Sequence, residues 1–502
     1  MSAPTLVWFR QDLRVRDQPA LSRAIARGAP VVALYLLDDD TPGPWAPGGA
    51  SRWWLHHSLH SLAAALEKLN IQLLLARGRA QTVIPQLVHQ LGAEAVFWTR
   101  QYEPYAIARD TALKAELTAE GVPVETFNGQ LLSEPWEMKS KSGGSYAVFS
   151  AFWRTLRTGP APAAPTPAPA PCRARAGTAP SLSLDALELL PRKPDWAAGL
   201  RAAWRPGEDY ARTTLEDFLG AGLAVYTAQR DQPAAQAVSR LSPCLHFGEL
   251  SARTVWHAVQ ARVAAQPALS ASAEKFLSEL AWREFAHHLL YHHPQMPDHP
   301  LRPSFSNVSW RHDTTQFDAW SAGRTGYPVV DAGMRELWQT GALHNRVRMI
   351  AASFLVKHLL IPWQQGEAWF WDTLVDADLA GNAMGWQWVT GCGADAAPYF
   401  RIFNPVLQGE RFDPRGEYIR RFVPELSALP DAWIHKPFAA DANTLEAADV
   451  RLGDNYPRPI VDHAAARARA LRAFSAVKSE SQGSARNAGA SAAKRKRTPR
   501  VS

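Results

Sequence analysis

The strongest constraint on the fold is the pattern of residues 1–130, which alternate short apolar runs with segments whose apolar residues recur at helical spacing. The runs are expected to form buried strands at Leu6–Phe9, Val31–Leu37, Leu73–Leu75, Ala95–Trp98 and Val122–Phe127. The helical patterns between them include Arg52–Leu69 and Tyr105–Glu120. This alternation predicts a Rossmann-like α/β domain, a five-stranded parallel sheet covered on both faces.

The pattern changes near residue 200. Long helical stretches then dominate, as in Ala273–Tyr291, Gly333–Thr340 and Asn345–Leu360, so we interpret residues 201–478 as a separate all-α domain. Residues 131–200 are expected to form a linker. The linker is rich in proline and alanine at 159–180, where proline disfavours both helix and sheet.

The charge is concentrated at the end of the chain. The formal net charge is +7, yet residues 1–130 sum to 0, 131–200 to +3, 201–478 to −1 and 479–502 to +5. The last segment is expected to be a disordered basic tail, in which Lys494–Arg497 (KRKR) is more often a solubilising end than a nucleic-acid patch. Any anion-binding surface on the body must therefore be a local patch.

Several classes of protein are disfavoured by composition. Three cysteines (Cys172, Cys244 and Cys392) are too few and scattered for a disulfide framework or a cysteine-based zinc site. The first ten residues lack the apolar stretch of a signal peptide, and no apolar run approaches a membrane span. We expect a cytoplasmic, monomeric protein without a membrane partner.

Four segments combine residues that could carry chemistry, and each has a plainer interpretation. Tyr226–Gly248 joins hydroxyls and arginines before a helix expected to open near Gly248, which suits a phosphate but also fits a helix cap with solvated arginines. In LSELAWREF, Glu279 and Trp282 share one helix face, which suits a pocket for a flat base but also fits a core helix with surface Glu and Arg.

The other two segments are equally open. Asn345 and Met349 share a helix face, although methionine is more often a core filler than a cavity wall. Asp376 and Asp378 could bind sugar hydroxyls, cap helices or hold a metal, and the scarcity of nearby histidines disfavours the metal.

Taken together, seven blocks in order resemble the photolyase/cryptochrome family across residues 5–475. The blocks are VWFRQDLRVRD, SRLSPCLHFGELS, WREF, GYPVVDAGMREL, HNRVRMIAASFLVK, GWQW and DAAPYFRIFNP. The resemblance implies an N-terminal α/β antenna domain, a long linker and a helical domain that binds FAD.

Within the family, the chain is most similar to the photolyases of cyclobutane pyrimidine dimers. The (6-4) photolyases and animal cryptochromes have histidines where this chain has Asn345 and Met349, and plant cryptochromes have an acid where it has Asn382. The SRWWLHHSL and GADAAPYF segments resemble the bacterial class III branch. The implied activity is light-dependent repair of ultraviolet-damaged DNA, with reduced FAD as the active cofactor.

The resemblance also implies roles for individual residues. Asn382 should face the flavin N5, Glu279 should hydrogen-bond the dimer, and Trp282 should stack on it with Met349 and Trp388 as pocket walls. The FAD contacts are expected at Tyr226, Ser239, Arg240, Leu241, Ser242, Phe276, Asp376, Asp378 and Asn382. The DNA contacts are expected at Arg230, Glu279, Trp282, Arg283, Asn345, Arg346, Met349, Trp388 and Gln408. No metal site is expected.

The abundance of tryptophan has a partial explanation in the family. Eleven of the 20 tryptophans lie between Trp256 and Trp433. Trp386, Trp363 and Trp310 match the electron-transfer chain from flavin to surface, although each alone is more often a core aromatic.

An antenna chromophore is also implied by the family. Tyr105 and Ala106 occupy slots where a folate-binding branch has Asn and Glu, so that branch's site is not carried over. Methenyltetrahydrofolate held differently is favoured, with deazaflavin as the alternative. The alternative function is a cryptochrome-type signalling photoreceptor, suggested by the basic tail. A FAD-binding redox enzyme lacks support, because no nicotinamide fingerprint follows the first strand.

Overall fold

The computed structural model describes residues 3–140, 143–173, 180–235 and 237–475. The chain divides into two compact units. The first unit comprises residues 1–294, 336–343 and 369–382, and the second comprises 295–335, 344–368 and 383–502. The predicted basic tail with its KRKR run lies outside the described residues.

A five-stranded parallel sheet forms one layer of the first unit, and the order of its strands is β3-β2-β1-β4-β5. The strands are β1 (Thr5–Phe9), β2 (Val31–Leu37), β3 (Gln72–Arg77), β4 (Ala95–Thr99) and β5 (Val124–Phe127). Strands β1, β2 and β4 are buried along their whole length, as continuous apolar runs require. The predicted α/β fold class and all five predicted strands are confirmed.

Helices cover the sheet and continue beyond it in the first unit. They are α1 (Pro19–Ala26), α2 (Gly49–Glu67), α3 (Ala80–Leu91), α4 (Pro104–Ala119), α5 (Phe149–Thr158), α6 (Ala198–Ala203), α7 (Glu208–Asp217), α8 (Leu223–Gln229), α9 (Ser242–His246), α10 (Ala252–Ala265) and α11 (Ser270–His292). One hydrophobic core joins one sheet face to these later helices, with Phe97, Trp54, Leu215 and Phe276 among its members. The sheet layer and the helices up to α11 therefore share a core.

The all-α character of the later chain is also confirmed. The remaining helices are α12 (Thr314–Ser321), α13 (Pro328–Thr340), α14 (Asn345–Ser353), α15 (Trp363–Thr373), α16 (Leu379–Thr390), α17 (Pro405–Phe412), α18 (Glu417–Phe422), α19 (Ala442–Ala447) and a helix over 463–475. Helix α14 passes into a π-helical turn, Phe354–Leu359, which ends at left-handed Leu360. Among the described residues, no helix combines the length and apolar character that crossing a membrane requires.

One local prediction is wrong. The helix expected to open near Gly248 begins at Ala252, because Gly248 adopts a left-handed backbone with φ of 66°. Ser251 then caps the helix by accepting a hydrogen bond from the Thr254 backbone N–H.

Candidate functional site

Helix α11 brings Glu279 together with two cations. The Glu279 carboxylate is bonded to the Arg230 guanidinium at the end of α8, and its Oε1 lies 2.9 Å from Lys275 Nζ, one helical turn earlier. Arg230 and Glu279 were both predicted as site residues, and the structure places them in contact. Lys275 was missed, although its i, i+4 spacing to Glu279 could have revealed it.

Trp282 lies one turn after Glu279 and is stacked on Phe149, the first residue of α5. The two ring centroids are 3.7 Å apart and the planes differ by 9°. Phe149 therefore covers one face of the indole, so a flat base could stack only on the opposite face. Sequence reasoning missed Phe149, because no local pattern links it to a helix more than 120 residues away.

The next two residues of α11 form hydrogen bonds with the backbone of residues 130–132. Arg283 donates to the Gln130 carbonyl at 3.0 Å, and Glu284 Oε2 accepts from the Leu132 backbone N–H at 2.7 Å. Glu284 is buried, and burial raises its pKa to about 7. The plainer interpretation, which placed this glutamate at the surface, is therefore wrong.

The predicted FAD contacts on α8, α9 and α11 all lie in the first unit. The Tyr226 ring packs edge-on to Phe276 at 5.5 Å, and burial raises the pKa of its hydroxyl. Ser239 Oγ accepts from the Leu241 backbone N–H at 3.4 Å, and Ser242 begins α9. Arg240 has a left-handed backbone and lays its guanidinium 4.1 Å from the centre of the Trp204 ring, so its side chain is engaged with that indole.

Asp378 accepts hydrogen bonds from the first backbone N–H groups of α16. Its Oδ1 accepts from the Gly381 backbone N–H at 2.7 Å, and its carbonyl accepts from the Asn382 backbone N–H at 2.8 Å. Its Oδ2 lies 3.4 Å from His287 Nε2 and 3.8 Å from His246 Nδ1. Burial, the largest influence, would raise the pKa of Asp378, but the facing histidines and Arg283 outweigh it and hold that pKa well below its ordinary value.

These residues fit a flavin dinucleotide. Hydroxyls and backbone N–H groups near α9 suit a pyrophosphate, and the aspartates suit ribose or ribityl hydroxyls. His246 Nδ1 is buried without a hydrogen-bond partner among the described residues, and 3.8 Å to Asp378 is too long for one. A bound group would provide the missing partner. Asp376, two residues before Asp378, completes the predicted acidic pair.

The second unit holds the remaining predicted DNA contacts. Asn345 Nδ2 lies 4.0 Å from Met349 Sδ, so these two side chains share one face of α14. Arg346 places its guanidinium 4.4 Å from the centre of the Phe412 ring at the end of α17. Gln408 lies on α17, which Asn404 caps, and half-buried Trp388 accepts from the Ala397 N–H through its carbonyl.

Two of the predicted electron-transfer tryptophans, Trp363 and Trp386, are buried. Trp386 packs directly on Gly366, one turn into the helix that begins at Trp363. Trp310 packs edge-on to Phe474 at 5.8 Å. Trp320, which the sequence did not single out, lies 6.3 Å from Trp386 between ring centres and is fully buried.

Two cavities lined by described residues of the first unit are candidates for a second chromophore. One, of about 110 Å³, lies at the carboxyl ends of the strands, where Arg10 and Arg109 stand 4.5 and 4.7 Å from the centre of the Trp8 ring. The other, of about 200 Å³, is lined by Trp196 and Trp338. Both of these indoles are exposed, with 37% and 57% of their surface accessible, which is unusual for tryptophan.

The known proteins that match this chain all belong to one family. Residues 5–171 match the family described as DNA photolyase, and residues 276–476 match the FAD binding domain of DNA photolyase. A deoxyribodipyrimidine photo-lyase of Agrobacterium fabrum is 50% identical, over 95% of this chain and 98% of its own. Cryptochrome-1 of Arabidopsis thaliana is 40% identical, over 94% of this chain and 70% of its own.

A solved structure agrees with these sequence matches. A bacterial class III photolyase from Agrobacterium tumefaciens superposes with a TM-score of 0.93 at 50% identity, covering 95% of this chain and 98% of that one. The chain therefore belongs to the photolyase/cryptochrome family, and its later half carries the family's FAD-binding domain.

Replacing Gly366 by alanine tests the packing around Trp386. An added Cβ would lie 2.1 Å from Trp386 Cη2 and 2.6 Å from Leu355 Cδ2, so the indole must move. We expect Gly366→Ala to lower the free energy of unfolding by about 1–3 kcal/mol in a denaturant titration. Gly220→Ala is the matched control, because a Cβ there meets nothing within 4 Å. Equal stability of Gly366→Ala and wild type would refute this packing.

Proposed function

We propose that the protein is a light-dependent DNA-repair lyase that splits cyclobutane pyrimidine dimers. The observation that carries the proposal is the arrangement on α11, where a carboxylate (Glu279) and an indole with one face covered (Trp282) lie one turn apart. A stacked base and a hydrogen-bonding carboxylate are what an extrahelical pyrimidine pair requires. The photo-lyase relative, matched over 98% of its length, supports this proposal.

Side chains on α11 and at the end of α8 would bind the lesion and the phosphates next to it. Glu279 would leave Lys275 and Arg230 to accept hydrogen bonds from the dimer's bases, and the freed cations would then bind nearby phosphates. Trp282 would stack on the flipped dimer and exclude water from it, with its ring held in place by Phe149. Phosphate contacts of this kind make DNA affinity fall as salt rises.

The flavin would be held by residues of the first unit. Tyr226, Ser239, Ser242, Asp376 and Asp378 would bind it, and the Asn382 amide would donate a hydrogen bond toward its N5. When bound and reduced, FAD supplies the light absorption and the electron that opens the cyclobutane ring and then returns. The monomeric state and the cytoplasmic location stay predictions.

A repair assay tests the proposal against its alternatives. Reduced protein is mixed with an oligonucleotide that carries one thymine dimer, and dimers are counted after blue light and after darkness. We expect loss of dimers only in the light, and no loss of a (6-4) product in a parallel substrate. No dimer repair under saturating light would contradict the proposal and favour the signalling photoreceptor, a function consistent with the 40% identity to Cryptochrome-1.

We further propose that the antenna chromophore is methenyltetrahydrofolate and that it occupies the cavity between Trp196 and Trp338. A pterin is flat and stacks well on indoles, and Trp338 is itself backed by Trp369, whose ring is parallel to it at 6.0 Å. The cavity at the carboxyl ends of the strands, with two guanidinium groups against Trp8, suits an anionic deazaflavin instead.

Absorption spectra of purified variants distinguish the two cavities. Trp338→Ala is expected to lose the near-ultraviolet absorbance that exceeds the contribution of FAD, because the stacking surface is removed. Arg109→Gln, in the other cavity, is the matched control and is expected to keep it. Loss of the band in Arg109→Gln but not in Trp338→Ala would overturn the placement and favour the cavity at the strand ends.

A further inference from the structure

Lys357 is a buried lysine in the π-helical turn Phe354–Leu359, and the proposed repair reaction assigns it no role. Its side chain has no exposed surface, and burial lowers the pKa of its ammonium group to about 7. None of the ion pairs formed by described residues joins it to a carboxylate. Neutral groups must therefore compensate for the loss of water around this charge.

Three neutral groups surround the Lys357 ammonium. Its Nζ donates to the Thr390 carbonyl oxygen at 2.6 Å and to the Tyr399 carbonyl oxygen at 3.4 Å. Nζ also lies 3.8 Å from the centre of the Phe474 ring, whose face attracts a cation. An ammonium group has three N–H donors, which matches these three partners. Lys357 thus connects the end of α16 with the segment that follows it and with the helix over 463–475.

The residues between the two carbonyls, 391–398, form a closed loop. At its start, the backbone N–H groups of residues 391–393 donate to the Gln387 carbonyl at 3.0 to 3.1 Å. At its end, the Ala397 N–H donates to the Trp388 carbonyl at 3.2 Å. Lys357 binds the residue on either side of this loop, so its ammonium group completes the closure.

The loop follows directly on the turn of α16 that carries Trp388, a predicted wall of the lesion pocket. The Trp388 carbonyl accepts from the end of the loop, and Thr390, two residues later, is bound by Lys357. Without the ammonium group, the Thr390 and Tyr399 carbonyls would lose a charged donor in a buried setting. The last turn of α16 and the loop could then shift, and the Trp388 indole would shift with them.

The helix over 463–475 fixes the ring that faces the ammonium group. Phe474 is 2% exposed and packs edge-on to Trp310 at 5.8 Å between ring centres. Arg469, on the same helix, donates to the His358 carbonyl at 2.6 Å, so the helix is also bound to the π-helical turn. The position of the Lys357 ammonium therefore depends on this helix as well as on the loop.

We propose that Lys357 is a positioning residue for lesion recognition, whose ammonium group joins the helix over 463–475 to loop 391–398 and thereby holds Trp388 in the pocket wall. The inference rests on the proposed function, because it takes Trp388 as a lesion contact. Since Lys357 is buried, it cannot itself touch DNA. Its effect is on the difference in affinity between damaged and undamaged DNA.

The test measures dark binding of the FAD-loaded protein to two duplexes of the same sequence, one with a single thymine dimer and one undamaged. Lys357→Met keeps an apolar chain of similar length but removes the charge and the donors. We expect the ratio of the two affinities to fall by about fivefold, the effect of one lost hydrogen bond. The affinity for undamaged DNA and the FAD content should stay at the wild-type values.

Lys357→Arg separates positioning from packing. It restores a cation with N–H donors, so we expect it to recover part of the affinity ratio that Lys357→Met loses. A ratio in Lys357→Met equal to that of wild type would overturn the proposal. So would a Lys357→Met protein that loses affinity for both duplexes equally, because that result shows a general structural role.

Phe474→Leu tests the same connection from the helix and leaves Lys357 in place. Leucine keeps an apolar side chain but has no ring face for the cation, so we expect a smaller fall in the affinity ratio. Phe305→Leu is the matched control, because Phe305 packs on Phe474 at 6.0 Å in the same apolar cluster but is not a described partner of Lys357.

The two phenylalanine variants decide the question if Lys357→Met does not fold. An equal ratio in Phe474→Leu and Phe305→Leu would overturn the proposal, and a lower ratio in Phe474→Leu alone would support it. Failure of the proposed function looks different, because the wild-type protein itself would then show no preference for the dimer.

Discussion

The packing of helix α2 is the constraint on which the rest of the first unit depends. Trp54 is fully buried, stacks on Phe247 at 5.9 Å, packs edge-on to Trp204 at 5.3 Å, and donates through Nε1 to Glu249 at 3.0 Å. One indole thus joins a helix that covers the sheet to the segment that carries the predicted FAD contacts. Burial raises the pKa of Glu249 to about 7, so this carboxyl depends on its hydrogen-bond donors.

The first unit also suggests how a protein whose net charge outside the tail is close to zero could bind DNA. Two cations beside the predicted lesion contacts, Arg230 and Lys275, are both paired with Glu279. Ion pairs between partly exposed side chains contribute little to stability. Replacing the carboxylate partner by a DNA phosphate would therefore cost little free energy. Affinity for a lesion then comes from where a few groups are placed and not from a global field.

Much of the architecture could be predicted from the sequence, because apolar periodicity reports which face of an element is buried. The five strands and the long helix around Glu279 follow from that pattern. The pairing of Glu279 with Lys275 was not predicted, although the i, i+4 spacing of the two residues contains it. The contact of Phe149 with Trp282 and that of His287 with Asp378 do not follow, because periodicity does not state which side chain of a distant element fills a given place. The expected helix start at Gly248 failed for a local reason, the left-handed backbone of that glycine.

The central claim is that the Glu279 carboxylate acts on the lesion and not on the cofactor. The most direct test measures dimer repair per unit of light by Glu279→Gln, together with FAD content and affinity for dimer-containing DNA. Glu274→Gln is the control, because Glu274 lies on the same helix and binds only the surface Arg157 among the described ion pairs. The account predicts a loss of repair of about tenfold or more in Glu279→Gln, with FAD and DNA binding kept and the control unchanged. Repair at the wild-type rate, or loss of FAD from Glu279→Gln, would contradict it.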